Sequence, residues 1–157
     1  NSEPMIGPDS SDRPPMTVMT TTAMLAQAVY AQGRREEAAE LCGVAASAGA
    51  ADDIVTQVIW RGVKARTLAC NGECEEAEAL ARQAVALIAP TDLLSDHGDA
   101  MLALAEVLRA CSRTDESERA ARTGLSLYVK KGNAVAAAWA QSLLRHSTRG
   151  SADAIQR

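Results

Sequence analysis

Phenylalanine is missing from these 157 residues, and two Trp and two Tyr supply all the large rings. A core without big aromatic plugs must come from close helix approaches, in which Ala brings backbones together and Leu, Val and Met fill the gaps. The shortage of rings also removes the platform on which single-stranded nucleic acid stacks. Basic charge is short as well. Sixteen Lys and Arg against twenty Asp and Glu give a net charge of −4 and a pI near 5.2, the wrong sign for a phosphate footprint. Nucleic acid is therefore not an expected direct partner. No apolar run approaches the roughly twenty residues that a bilayer span needs, and the first residues carry no basic-plus-apolar leader pattern. No membrane is expected, and the reading is a cytoplasmic protein.

What the chain has in quantity is Ala and Leu, within a hydrophobic share of 47% that holds hardly a β-branched run. That composition favours an all-α domain. Three blocks repeat along it: Ala31-Gln32-Gly33-Arg34-Arg35-Glu36-Glu37-Ala38, Cys70-Asn71-Gly72-Glu73-Cys74-Glu75-Glu76-Ala77 and Cys111-Ser112-Arg113-Thr114-Asp115-Glu116-Ser117. Their turn residues Gly33, Gly72 and Ser112 lie 39 and 40 residues apart. Each block reads as the end of one helix, a tight turn, and an acidic first turn of the next helix that suits the positive end of its dipole. A fixed period of this length is the mark of stacked supersecondary units.

The expected architecture is an alpha-alpha superhelix of three helix hairpins plus a C-terminal capping helix. The spacing predicts helices from about Thr17 to Gln32 on a Met24, Leu25, Ala28 and Val29 stripe, Arg35 to Ala48, Ile54 to Cys70 after an Asp52 or Asp53 cap, and Cys74 to Ile88. A fifth begins near Asp92 or Ser95, a sixth spans Thr114 to about Val129, and a seventh, capped by Asn133, spans Ala134 to about Arg145. The domain then occupies residues 16–146. The Pro-, Ser- and Asp-rich residues 1–15 read as a disordered linker left on a piece of a longer protein, and 147–157 as a frayed tail.

The residues resemble tetratricopeptide repeats through Leu25-Ala26 with Val29 followed by Ala38 and Cys42, through Ala65 with Leu68 followed by Ala77 and Ala81, and through Met101, Leu104-Ala105 and Leu108 followed by Ser117 and Ala121. The departures are a period longer than the family's usual 34, Thr22 where Trp is common, Lys64 where Leu is expected, and Ser117 for Ala. The strings Asp53 to Arg61, Ala84 to Leu87, Gly98 to Leu108 and Tyr128 to Asn133 also look like the helical-repeat tails of bacterial adenylate/guanylate cyclase-like and large ATP-binding regulatory proteins. This second resemblance implies a tail that follows a nucleotide-processing module. None of that module's catalytic or phosphate-binding motifs occurs in this chain, so no activity comes with it.

Candidate chemistry is sparse. Cys70 and Cys74 sit four residues apart across a turn, where they could close a disulfide or supply half a zinc site; with His97 and His146 elsewhere, reduced structural thiols are expected and no metal. Ser95-Asp96-His97-Gly98-Asp99 reads as helix capping before it reads as an acid/base cluster. Glu36-Glu37, Glu75-Glu76 and Asp115-Glu116 read as solvated helix starts. Trp60 is expected in inter-repeat packing, with partner anchoring as the alternative for either Trp. No Gly-rich phosphate loop, Ser/His/Asp set or Cys/His pair is present, so neither catalysis nor a cofactor is expected.

What remains is the concave face. In helix-pair solenoids the first helix of each pair lines it, which places Gln27, Tyr30, Arg66, Glu106 and Arg109 there as partner-binding candidates. The function expected is a non-catalytic protein–protein interaction domain of a cytoplasmic bacterial signalling or regulatory protein. Its partner is a protein or peptide, another domain of the parent included. The alternative is a small-ligand-sensing domain that uses the same groove. An apolar last helix and the Met16, Met19 and Met24 end of the first also point to a homodimer.

Overall fold

The computed structural model describes residues 16–155, with side chains from 17 to 146; the linker expected over 1–15 lies outside the described residues. Among these, seven helices follow one another: α1 (Met16–Ala31), α2 (Arg35–Ala48), α3 (Ile54–Cys70), α4 (Cys74–Ile88), α5 (Leu94–Ala110), α6 (Thr114–Lys131) and α7 (Ala134–Ile155). Consecutive helices pack on each other, and α3 also packs beside α1 and α5, so that these three form the inner layer of a stack of hairpins. The fold is the expected alpha-alpha superhelix.

One backbone device makes the hairpins. After α1, α3, α5 and α6 the turn residue donates its N–H to a carbonyl three back, and the next residue donates to one five back: Gly33 and Arg34 to Tyr30 and Val29, Gly72 and Glu73 to Ala69 and Leu68, Ser112 and Arg113 to Arg109 and Leu108, Gly132 and Asn133 to Val129 and Tyr128. These bonds satisfy the orphan carbonyls of the helix ends, and they place the turn residue in left-handed backbone space. Gly33, Gly72 and Gly132 sit there at φ 81–85°, and Ser112 at 62°. Ser112 is the one described non-glycine with positive φ. Replacing it by Gly is expected to raise stability by up to about 1 kcal/mol, since a β-carbon is strained in this region. Gly72→Ala should lower stability by about the same amount; paired urea unfolding curves check both.

The repeat continues past the third hairpin. α3, α5 and α7 begin at Ile54, Leu94 and Ala134, each 40 residues after the last. The capping helix thus stands where the first helix of a fourth unit would stand, and it buries Ala137 and Ala140 against α6. It runs on to Ile155, so the tail expected to fray from residue 147 is helical to that point; no Pro interrupts it.

The core is alanine-rich, as the missing Phe requires. Ala65, Ala69, Ala77 and Ala81 meet Leu102, Leu104, Val107, Leu108, Ala120 and Ala121 in the largest cluster. Trp60 packs against the first hairpin's cluster of Ala26, Val29, Ala38, Cys42 and Val63, in the inter-repeat place expected for it. Burial raises the Cys42 thiol pKa to about 11. Gly98 and Gly124 let α5 and α6 approach, and Tyr128, fully buried, lays its ring on Gly98.

Three local expectations are corrected. The inward stripe of α1 is Met19, Ala23, Ala26 and Val29, while Met24 and Leu25 are 53% and 50% exposed and Ala28 is exposed too. Helix α5 starts at Leu94, so Ser95 and Asp96 lie inside its first turn and cap nothing; the Thr91 hydroxyl instead donates to the Ile88 carbonyl at 2.7 Å and accepts from the Leu93 N–H at 3.2 Å. The thiols are not all reduced. Cys74 is bonded to Cys111 across the α4–α5 joint, leaving Cys42 buried and Cys70 exposed as the free pair. Cys70 and Cys74 are therefore not partners, because the stack carries Cys74 to the end of the next inner helix.

Elsewhere the caps follow the pattern. Asp53, rather than Asp52, accepts the Thr56 N–H at 3.2 Å, and Asn133 accepts that of Ala136 at 3.2 Å. The acidic helix starts are largely solvated, but Glu37 pairs with Arg34 and Glu116 takes a forked pair of bonds from Arg113, while Arg113 also reaches Glu78 of α4. The Arg113 bonds hold the Glu116 carboxyl below its usual range.

Candidate interaction groove

Inner helices α1, α3 and α5 present one side chain after another to a shared concave surface because residues three and four apart lie on one helical face. At its centre stands Arg66 of α3. Its Nε donates to the Gly62 carbonyl one turn back at 3.2 Å, its guanidinium lies 4.7 Å from the centre of the Tyr30 ring on α1, and a terminal nitrogen is 3.7 Å from a Glu106 oxygen on α5. Three helices thus fix one guanidinium. A cation over a ring face is worth about 0.5–1 kcal/mol at a partly exposed site, and the planar fork keeps further donors for a carboxylate or a peptide carbonyl.

Two depressions adjoin on either side of Arg66. One is a cavity of about 100 Å³ floored by Val58, Ile59, Gly62, Ala100 and Ala103, with Met24, Gln27, Asp96 and Asp99 around it. The other is shallower and is lined by Tyr30, Ala69, Cys70, Glu106, Arg109 and Ala110. All five residues chosen from the sequence line one or the other. Gln27 belongs to the first, Tyr30, Glu106 and Arg109 to the second, and Arg66 to both.

The electrostatics differ between the two. Burial, aided by the Cys70 thiol 3.8 Å from its hydroxyl, pushes the Tyr30 pKa up to about 12, so the ring remains a neutral phenol. On the other side the Tyr128 hydroxyl donates a hydrogen bond to Asp99. Burial raises the Asp99 pKa and that hydrogen bond opposes the rise. Burial also pushes the His97 pKa down. By its lining, with Asp96 and Asp99 in the first depression and Arg109 beside Glu106 in the second, the groove is acidic at the Asp96 end and more cationic at the Arg109 end.

Sequence reasoning missed Asp96, Asp99 and Met24 as groove residues. Their signal is positional: Asp99 stands forty residues after Ile59, so the repeat that placed Arg66 also places it. Trp139 stands forty residues further and is half exposed. Among the described residues no three metal-type side chains converge, and Cys74 is taken up by Cys111.

A family model for the tetratricopeptide repeat matches residues 62–88, which cover the end of α3, the turn at Gly72 and all of α4. The match lies on the hairpin that carries Arg66, and together with seven helices in sequence it fits a tetratricopeptide-like helical repeat. No curated protein and no solved structure matches the chain. Repeats of this type mediate protein–protein interaction.

Proposed function

We propose that this chain is a non-catalytic interaction domain that holds an extended peptide along α1, α3 and α5, inside a bacterial cytoplasmic signalling or regulatory protein. The observation that carries the peptide reading is Arg66, held between Tyr30 and Glu106 at the midpoint of a groove with opposite charge at its two ends. A peptide running through it meets carboxylates first and Arg109 last. The parent's identity rests on the resemblance to cyclase-like and ATP-binding regulatory tails. Among the described residues no helix is long and apolar enough to cross a membrane. In a reducing cytosol the Cys74–Cys111 bond would be held in a redox-dependent way.

The small-ligand alternative finds less enclosure, because ligand pockets usually enclose about 300–1,000 Å³, whereas the two depressions hold about 100 and 270 Å³ and the larger is the shallower. Selection from a displayed random-peptide library is the direct test. Wild-type protein is expected to enrich one consensus with a basic residue for the Asp96 end and an acidic one for the Arg109 end. Arg66→Glu should weaken binding of that peptide roughly 10–100-fold, the range for a central charge contact. An absence of enrichment, with a metabolite that raises the melting temperature in a saturable way, would favour the sensing alternative.

A further inference from the structure

The groove has a peptide close at hand within its own chain. Residues 1–15 lead into α1 and hold four of the chain's five prolines, Pro4, Pro8, Pro14 and Pro15. Such a composition favours the extended polyproline backbone, which rises about 3.1 Å per residue and repeats every three residues. Asp9 and Asp12 then share one face at a spacing of about 9 Å, and Arg13 follows them. From Asp9 toward α1 the charges run acidic, acidic, basic.

The groove offers the complement in the same order. Thr20 meets Asp53 and Thr56 at the start of α3, and Tyr30 meets Cys70 at its end, so α1 enters the stack at the Asp96 end of the groove and leaves it at the Arg109 end. Arg109 and Arg66 stand on neighbouring inner helices, which pack about 8–10 Å apart, a spacing that suits Asp9 and Asp12. Arg66 keeps donors beyond those it uses on Gly62 and Glu106. Past Arg66 lie Asp96 and Asp99, around the first cavity, for Arg13. The reach closes as well. Met24, at that cavity, lies about 12 Å of helical rise beyond Met16; the three steps from Arg13 to Met16 span about 10 Å, and the long Arg side chain supplies the remainder.

We propose that residues 1–15 occupy the groove of their own chain, with Asp9 at Arg109, Asp12 at Arg66 and Arg13 at the Asp96–Asp99 end, so that an outside partner binds by displacing them. This self-contact rests on the peptide reading of the groove given above. Charge order selects the occupant, because the opposite order would set Arg13 against Arg109 and the aspartates against Asp96 and Asp99, like charges together. Tethering supplies the rest. A directly joined segment stands at a local concentration of about 1 mM, and a backbone already extended by proline loses little freedom on docking. Even a weak contact is then mostly made, and the domain stays closed until a better peptide competes.

The test adds a fluorescein-labelled peptide of residues 1–15 to the full chain and reads binding by anisotropy. A chain carrying Asp9→Arg with Arg13→Asp keeps its net charge and its whole groove but loses the charge order, so its groove stands open. Its dissociation constant for the peptide is expected near about 0.1 mM, and that of wild type about tenfold higher, the ratio of local concentration to affinity. Arg109→Glu in the swapped chain should weaken the peptide at least about tenfold, with helical circular dichroism unchanged. Three results overturn self-docking and leave the groove reading in place: equal affinities of the wild-type and swapped chains, no loss in Arg109→Glu, or no binding of this peptide to either chain while a library-selected peptide binds. Sedimentation of wild type should show a 16.5 kDa monomer; association that the swap abolishes would give the segment to a neighbouring copy and overturn the proposal too. If no peptide of any sequence binds the swapped chain, the groove reading itself falls, and self-docking with it.

Discussion

Reduction of the Cys74–Cys111 bond, or Cys74→Ser with Cys111→Ser, should lower the unfolding free energy by about 4 kcal/mol in the chain-entropy picture of a 37-residue loop. Native proteins stand only about 5–15 kcal/mol above their unfolded states, so this one bond is a large part of the margin. Urea unfolding with and without dithiothreitol reads the effect directly, and a Cys70→Ser background prevents the exposed thiol from exchanging with the bond. The midpoint should fall in wild type and stay put in the double Ser variant. Equal midpoints in wild type with and without reductant would mean that the two sulfurs are not joined in solution. The outcome also bears on regulation: in the cytoplasm proposed for it, a domain that loses this much on reduction would have a redox-dependent stability.

Gly98→Ala is expected to destabilise by roughly 2–3 kcal/mol, although Ala is the better helix former by about 1 kcal/mol. An added Cβ at Gly98 would stand 2.5, 2.8 and 2.9 Å from three ring carbons of Tyr128. Neither group can retreat easily, since Tyr128 is fully buried and its hydroxyl is tied to Asp99. The ring would have to leave its slot, or α5 and α6 would have to part along their whole contact. The discriminating measurement is a double-mutant cycle. With Tyr128→Leu already in place, the same Gly98→Ala change should cost less than about 1 kcal/mol, because the clashing ring is gone. An undiminished cost in that background would put the cause elsewhere.

These two sites also mark the limit of what the amino-acid order discloses. Hairpin boundaries are legible because Gly33, Gly72 and Ser112 announce left-handed turns, and the acidic residues just after them announce new helices; α2, α3 and α4 start and stop where the pattern puts them. The five groove residues are legible for the same reason, since periodicity assigns a face to every position of an inner helix. Contacts between repeats are not legible. Nothing near Cys74 points to Cys111, and nothing near Tyr128 points to Gly98, because the joints of the stack set both pairings. On α1 the difficulty is the absence of charge. With apolar or small residues on every side, a stripe through Met24 and Leu25 looks as good as one through Met19 and Ala23, and only packing against α2 and α3 decides.

Because helices touch only near neighbours along the chain, tension on the two ends would peel the stack unit by unit instead of shearing it at once. The Cys74–Cys111 tie changes how far such a pull can go. The 37 residues of separation are roughly 130 Å of extended polypeptide at about 3.5 Å each, and that length stays out of reach while the bond holds. Helices α1 to α3 before the tie and α6 and α7 after it can extend fully. The molecule is thus a spring stopped in its middle, over α4 and α5, and soft on both sides, with the stop next to the acidic helix start at Glu75 and Glu76.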